Sequence, residues 1–394
     1  MNTLAGQMSQ AEIGERLRIA REGARVTQAD AAAAIDVART TLVAIEQGQR
    51  RIRMDELQKL TKLYGVSVNA LLRQESVHVD LAPRFRKLIA DEDSGAHDAS
   101  QLLTNLARAE VELENLLGVK RGRNYPPERP LLSEDVRMQA AQDALELRQR
   151  LGIGLAPIGN MVTLLELELG VRVYVRRIHP RISGLFAYDE QLGACILLNA
   201  NHPRERRAVT GAHELGHLVC TRREPDVLNE AVSDRSPEER YCNAFARNFL
   251  MPMRAVNQKF RELTAGSVRL TRRHIIVLAH YFCVSREAMV RRLEELGLSK
   301  RGTWEWFQDN GGITDEQARQ VLGDLIGNDS YKAEADRPTT LRLNMLAAEA
   351  LQQGLLSEGQ LSRLLHLSRV ELRDLIDGVE LEGRAADGAP VLPR

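Results

Sequence analysis

The sequence predicts a mainly helical chain carrying one small β-sheet, an α+β organisation. Three observations lead there. Aromatic residues make up only 4% of the 394 residues, while helix-favouring alanine, leucine and arginine abound. Three short apolar runs, residues 171–175, 184–188 and 194–198, read as strands, the last two joined as a hairpin by the turn at 189–193. Directly after them, residues 204–221 return to helical spacing.

A chain of 394 residues is long enough for roughly two to four domains with cores of their own. Lys+Arg and Asp+Glu balance at 54 each, so no global field announces nucleic acid or a membrane, and any basic footprint must be local. The four cysteines, Cys195, Cys220, Cys242 and Cys283, form no C-x-x-C. They read as buried thiols in a reducing cytosol, Cys220 as a small core residue rather than a spare ligand. No apolar run approaches the ~18 residues of a membrane span, and the N-terminus has no signal-peptide core. A soluble, cytoplasmic protein with no membrane partner is expected.

The 204–221 helix holds His213-Glu214-Leu215-Gly216-His217. Histidines four apart share a helix face, with Cβ atoms about 6 Å apart. Two neutral imidazoles so placed can converge on one divalent ion, zinc by default. Glu214 lies about 100° around the helix from His213 and can take a proton from an attacking water without being a ligand. A catalytic zinc needs a third protein ligand. Residues 238–251 form a second helix with an apolar stripe of Cys242, Phe245, Ala246 and Phe249, stopped by Pro252. Glu239 lies on the stripe side, where a buried carboxylate must be paired or bound to metal. Glu238 reads instead as a dipole-matching surface charge at the helix start.

His213–His217, preceded by residues 207–212, and Glu239-x-x-Cys242-Asn243-x-Phe245-Ala246-x-x-x-Leu250-Met251-Pro252 together resemble the ImmA/IrrE family of metallopeptidases. The family pattern has alanine at Cys242 and leucine at Phe249, both apolar exchanges. The resemblance covers residues 135–260 and implies a zincin-like domain with His213, His217 and Glu239 as ligands of one zinc per chain, and Glu214 as the base. Ile182-Ser183-Gly184 also resembles the family's I-S-G ahead of the sheet. Because members cleave repressors of the same helix-turn-helix type, the resemblance implies a repressor-type protein as substrate, either a partner repressor or the chain's own DNA-binding domain.

Residues 11–72 read as five short helices. Ile13, Leu17 and Ala20 space the first, Thr27 caps the second, and Asp36-Val37 turns into a third over 38–46, ended by Gly48. Residues 54–64 and 67–72 supply the rest. This pattern, with the run Thr41-Leu42-Val43-Ala44-Ile45-Glu46-Gln47-Gly48, resembles the repressor-like helix-turn-helix of the XRE family. Small Ala38 lets the third helix approach base edges that Arg39, Thr40 and Thr41 can read, while Gln28, Arg50, Arg51 and Arg53 suit phosphates. A double-stranded DNA operator is the expected partner. Such domains usually bind as dimers on half-sites one turn apart, so a homodimer is expected.

The expected domains are therefore 1–74 for DNA binding, 75–134 as a helical linker, 135–262 for the metal, 263–335 as a packed helical extension, 336–380 as a helix-turn-helix-like interaction unit, and 381–394 as a disordered tail. Within the linker, 91–100 reads as a polar loop, 102–117 as a helix, and Lys120–Arg123 as a solvated basic run ahead of Pro126, Pro127 and Pro130. Strand 194–198 is expected to be the sheet edge on which an extended substrate adds. His179 and His202 read as surface residues rather than oxyanion donors. The functional expectation is a transcriptional regulator bearing a zinc endopeptidase. The alternative is a regulator whose metal domain senses or scaffolds without cleaving.

Overall fold

A computed structural model describes residues 10–24, 26–64, 81, 85, 93–132, 135–222, 225–229, 236–267, 269–323 and 339–376, with the backbone alone at Glu12, Gly23 and Met54. The chain divides into two compact units, Met1–His78 and Val79–Arg394. It is mainly helical with one small sheet, as the composition predicts.

In the first unit, helices α1 (Gln10–Gly23), α2 (Gln28–Ala34), α3 (Arg39–Glu46) and α4 (Met54–Tyr64) enclose a core of Leu17, Ala31, Ile35, Leu42, Ile45, Leu57 and Leu60. Thr27 caps α2 by accepting from Asp30 N–H at 3.2 Å. Asp36 turns the chain towards α3 at φ 56°, a left-handed conformation that aspartate tolerates better than most residues. A buried ion pair, Arg21 Nε to Glu46 Oε1 at 2.7 Å, ties α1 to the end of α3. The expected fifth helix, 67–72, lies outside the described residues.

In the second unit, α5 (Ser94–Leu117) begins earlier than the sequence suggests. The polar stretch expected as a loop is helical from Ser94, because the Asp93 carboxylate accepts from Ala96 N–H at 3.0 Å and caps it. Arg121, expected in a solvated basic run, is not solvated. Glu110 and Glu114 on α5 meet Arg121, Arg172 and Arg342 in one buried network, so Arg121 of the run 120–123 is drawn into the fold while Lys120 and Arg123 stay exposed. Tyr174 donates to Glu110 at 2.6 Å within it.

Next come α6 (Val136–Arg150) and α7 (Met161–Thr163, continuing as a π turn over Leu164–Glu168). The sheet follows: β1 (Arg172–Arg176), β2 (Ile182–Asp189), β3 (Gly193–Asn199) and, after α8 (Arg204–Cys220), β4 (Asp226–Asn229). Its order is β1-β3-β2-β4. A fourth strand thus joins the three expected, and the expected edge is wrong. β3 pairs parallel with β1 and antiparallel with β2, so 194–198 is central. Its unbroken apolar run, buried throughout, is the mark of such a strand. Among the described residues the edges are β1 and β4.

The second unit continues with α9 (Pro237–Leu250), α10 (Met253–Thr264), α11 (Arg272–Phe282), α12 (Arg286–Glu295), α13 (Thr303–Asp309), α14 (Asp315–Leu322), α15 (Leu341–Gln352), α16 (Glu358–Leu364) and a helix over 369–376. α9 packs on both α6 and α8. Two buried arginines secure its C-terminal end. Arg148 on α6 donates to Phe249 O, Ala156 O and Gly154 O, the last at 2.8 Å. Arg292 on α12 donates to Met251 O at 3.1 Å and Asn248 Oδ1 at 2.6 Å. Carbonyls at a helix end lack intrahelical partners, and these guanidiniums supply them. The tail from 377 onward lies outside the described residues.

Candidate metal centre and DNA-reading surface

The last turns of α8, from Thr210 to Cys220, are buried, with Ala212, Leu215, Leu218 and Val219 packed into the core of the second unit. Gly216 lets it meet α9 closely, since a Cβ there would lie 3.0 Å from Cys242 Cα. His213 and His217 thereby point their Nε2 atoms at one spot, 3.2 Å apart. Glu239, in the first turn of α9, places Oε2 3.6 Å from His213 Nε2 and Oε1 3.6 Å from His217 Nε2. Donors about 2.0–2.1 Å from a tetrahedral ion lie roughly 3.3–3.5 Å from each other, so these three atoms match the faces of such a site. The donor chemistry, two imidazoles and a carboxylate, also suits zinc.

The remaining ring nitrogens are held from α9. His213 Nδ1 lies 3.1 Å from Asn243 Oδ1, and His217 Nδ1 lies 3.0 Å from Glu238 Oε1. Glu238 is therefore not the surface charge the sequence suggested. It is the carboxylate that orients His217, and Thr221 Oγ1 donates to it as well. With both Nδ1 atoms turned to α9, both Nε2 atoms face the site, where a metal ion would displace the proton that His217 otherwise holds. Burial and the neighbouring His217 hold the His213 imidazolium well below the usual histidine range, to about 3. Burial also opposes a proton on His217, but Asp226 and Glu238 outweigh it and push that residue up to about 10.

Glu214 is fully buried, and neither carboxylate oxygen has a hydrogen-bond partner among the described residues. Burial first, then Asp226, raises its pKa well above the usual carboxylate range. Gly184 on β2 makes room for it, since a Cβ there would lie 2.6 Å from Thr210 Cγ2 and 3.1 Å from Glu214 Oε1. That clearance gives the I-S-G sequence a steric reason.

A further carboxylate arrives from β4. Asp226 Oδ2 lies 3.6 Å from His217 Nε2, and the donor atoms of His213, His217, Asp226 and Glu239 all fall within 4.8 Å of one another. Cys242 Sγ lies within the same reach of the two histidines. The cysteines are distant in sequence, yet Cys220 Sγ and Cys242 Sγ are 3.9 Å apart in the core. His202 is buried, with Nε2 3.2 Å from Pro180 O, a role in the loop and not at the metal centre. His179 Nδ1 accepts from Arg181 N–H at 3.3 Å.

Sequence reasoning missed Asp226, misplaced Glu238 and left Asn243 without a role. Asn243 sits in the quoted motif four residues after Glu239, so its place on the same helix face was readable from helical spacing. Asp226 carries no periodic signal, and only strand pairing brings it in.

In the first unit, Ala38, Arg39 and Thr40 are exposed at the start of α3, with Ala38 at its N-cap position, while Thr41 is half-buried. Arg39 donates to Gln28 Oε1 at 3.2 Å, and Gln28 in turn donates to Glu46 at 3.1 Å, linking the starts of α2 and α3. Arg50 and Arg53 both pair with buried Glu56, at 2.9 and 3.0 Å. Arg51 is exposed.

Comparison with known proteins agrees with both units. A helix-turn-helix domain model matches residues 12–74, and an IrrE N-terminal-like domain model matches residues 167–294. No curated protein matches. Among solved structures, ComR from Streptococcus suis aligns at 10% identity over 97% of each chain, with a TM-score of 0.16. The competence regulator ComR from Streptococcus vestibularis aligns at 10% identity over 97% of this chain and 100% of its own, also at 0.16. Scores that low do not establish a shared fold.

Proposed function

We propose that this chain, which joins a helix-turn-helix domain to an IrrE-like domain, is a DNA-binding transcriptional regulator whose second unit is a zinc-dependent endopeptidase acting on a repressor-type protein. One observation carries the enzymatic part. His213, His217 and Glu239 converge as a three-donor set beside Glu214, whose carboxylate is buried and unpartnered among the described residues. Zinc held by those three residues supplies the Lewis acidity that polarises a scissile carbonyl and acidifies water. Glu214 takes the proton of the attacking water and delivers it to the leaving amine. Its burial raises its affinity for that proton, which suits a group that must accept and then donate it. Asn243 and Glu238 hold the imidazoles in the orientation that presents Nε2.

The first unit would seat the start of α3 in the major groove of an operator, with Arg39 and Thr40 at base edges and Arg51 at the backbone. Binding as a homodimer would place two such helices on half-sites about one helical turn apart.

Elemental analysis of the purified full chain, together with operator binding and cleavage of candidate repressors, tests this reading. The native protein and Glu214→Gln are expected to hold one zinc per chain, and His213→Ala none. Cleavage should fall by at least about 100-fold in Glu214→Gln, the span of general acid–base catalysis, with operator binding intact. Undiminished cleavage by Glu214→Gln would defeat the mechanism. A regulator whose metal domain senses or scaffolds without cleaving is the second reading. The nearness of Asp226 to the donor set favours it, because a filled coordination shell leaves no place for substrate.

A further inference from the structure

Asp226 has no counterpart among the residues that the metallopeptidase resemblance brings to the site, yet it faces the donor set. It is the first residue of β4 and pairs across the sheet with Phe186. The Phe186 ring stacks on His217, with centroids 6.1 Å apart, so the strand pairing itself delivers the Asp226 carboxylate to the imidazole. Asp226 Oδ2 stands 3.6 Å from His217 Nε2, the distance at which Glu239 stands, and has no hydrogen-bond partner among the described residues. Buried carboxylate oxygens are ordinarily hydrogen-bonded or bound to metal. Glu214 is completely buried beside Gly184 of β2, and its carboxylate too has no hydrogen-bond partner among the described residues.

The strand that carries Asp226 matters as much as the carboxylate. β2 is the strand that lies against Glu214, through Gly184. The open side of β2 is where an extended peptide would add as a further strand beside the site. That side is taken by the chain itself, with Leu228 paired to Gly184 and Val227 to Leu185.

We propose that Asp226 is a fourth metal donor and that β4 is a built-in cap, an extended segment of the chain seated in the substrate's place with its carboxylate closing the coordination shell. This rests on the metal-centre reading above. A four-donor shell of two imidazoles and two carboxylates is closed, whereas three donors leave one position open. Glu214 then has no water to act on until β4 leaves β2. The centre is latent as folded, and the event that displaces β4 exposes both the sheet edge and the metal at once. A repressor segment presented in extended form is the competitor for that edge.

The test uses the zinc-loaded full chain and the Asp226→Ala and Asp226→Asn variants, the second preserving size should alanine impair folding. Acetohydroxamate, a small bidentate metal-binding probe that needs an open position, is titrated calorimetrically. Zinc release to a chromogenic chelator is followed in parallel. The native protein is expected not to bind the hydroxamate, while both variants bind it and release zinc about tenfold faster or more, the scale on which losing a supporting group weakens a metal site. A native protein that binds hydroxamate as tightly as the variants, with equal zinc release, overturns the proposal and leaves the metal-centre reading standing. A native protein that takes up no zinc overturns both.

Discussion

Asn243 and Glu238 act on the metal centre without touching the metal position. Each accepts from the Nδ1 of one histidine and so fixes its tautomer and ring plane. Asn243→Ala is expected to weaken zinc affinity by about 10–100-fold, measured by competition with a calibrated chelator, while leaving helical content unchanged. An unaltered affinity would show that α8 alone presets the imidazoles. Glu238 was legible as a carboxylate at a helix start and misread as solvated. Its neighbour Glu239 shows why, since the two carboxylates differ by one residue of helical rotation. Their roles at Nδ1 and at the donor set follow from how α9 is rolled against α8.

At the scale of elements, α9 is the part on which the centre depends. It carries Glu238, Glu239 and Asn243, and its far end is held by the buried guanidiniums of Arg148 and Arg292. Burial alone pulls the Arg148 pKa down to about 10, and no carboxylate offsets it. It persists because its donors satisfy three carbonyls. Arg148→Met, which fills much of the space without donating, leaves those carbonyls unsatisfied and should cost about 3 kcal/mol or more in chemical denaturation. A loss below about 1 kcal/mol would mean that water replaces the guanidinium. The helix starts carry local signals of their own, with Ser285 accepting from Ala288 N–H and Ser357 and Gln360 forming a capping box. The start of α5 was not legible, because one Asp93 side chain outweighs a polar, glycine-containing stretch. The sheet edge was misassigned because hairpin spacing says which strands are neighbours in sequence and nothing of the parallel partner that comes from before them.

At the scale of the whole second unit, the network around Glu110 joins α5, β1 and α15. Burial disfavours the Glu110 carboxylate, yet Arg121 and Arg172 outweigh that and hold its pKa below the usual value of 4.5. The folded value lies below the unfolded one, so its contribution to stability is present above about pH 4.5 and is lost as pH falls through the folded value. Glu110→Gln is expected to destabilise by about 3–5 kcal/mol near neutral pH, since the guanidiniums stay buried with one counter-charge gone. Its urea midpoint should also fall less steeply than that of the native protein between about pH 5 and about pH 3. Parallel midpoint curves for the two proteins would remove Glu110 as a source of acid sensitivity. None of the helices among the described residues is long and apolar enough to cross a membrane.

The sequence alone determined the helical character, the helix-turn-helix unit, and the H-E-x-x-H helix with Glu239 as its partner carboxylate. Most of those features are local, since helical periodicity, caps and side-chain spacing within one element act over a few residues; Glu239 was read from its place on its own helix's apolar stripe together with the paired motif that carries the resemblance. Only the tertiary structure decided that β3 is central, that Glu238 serves His217, that Arg121 is buried among carboxylates, and that Asp226 faces the donor set. Each of these depends on which elements pack or pair across long stretches of chain. Asp226 and Phe186 lie far apart in the chain and become neighbours only through the pairing of β2 with β4.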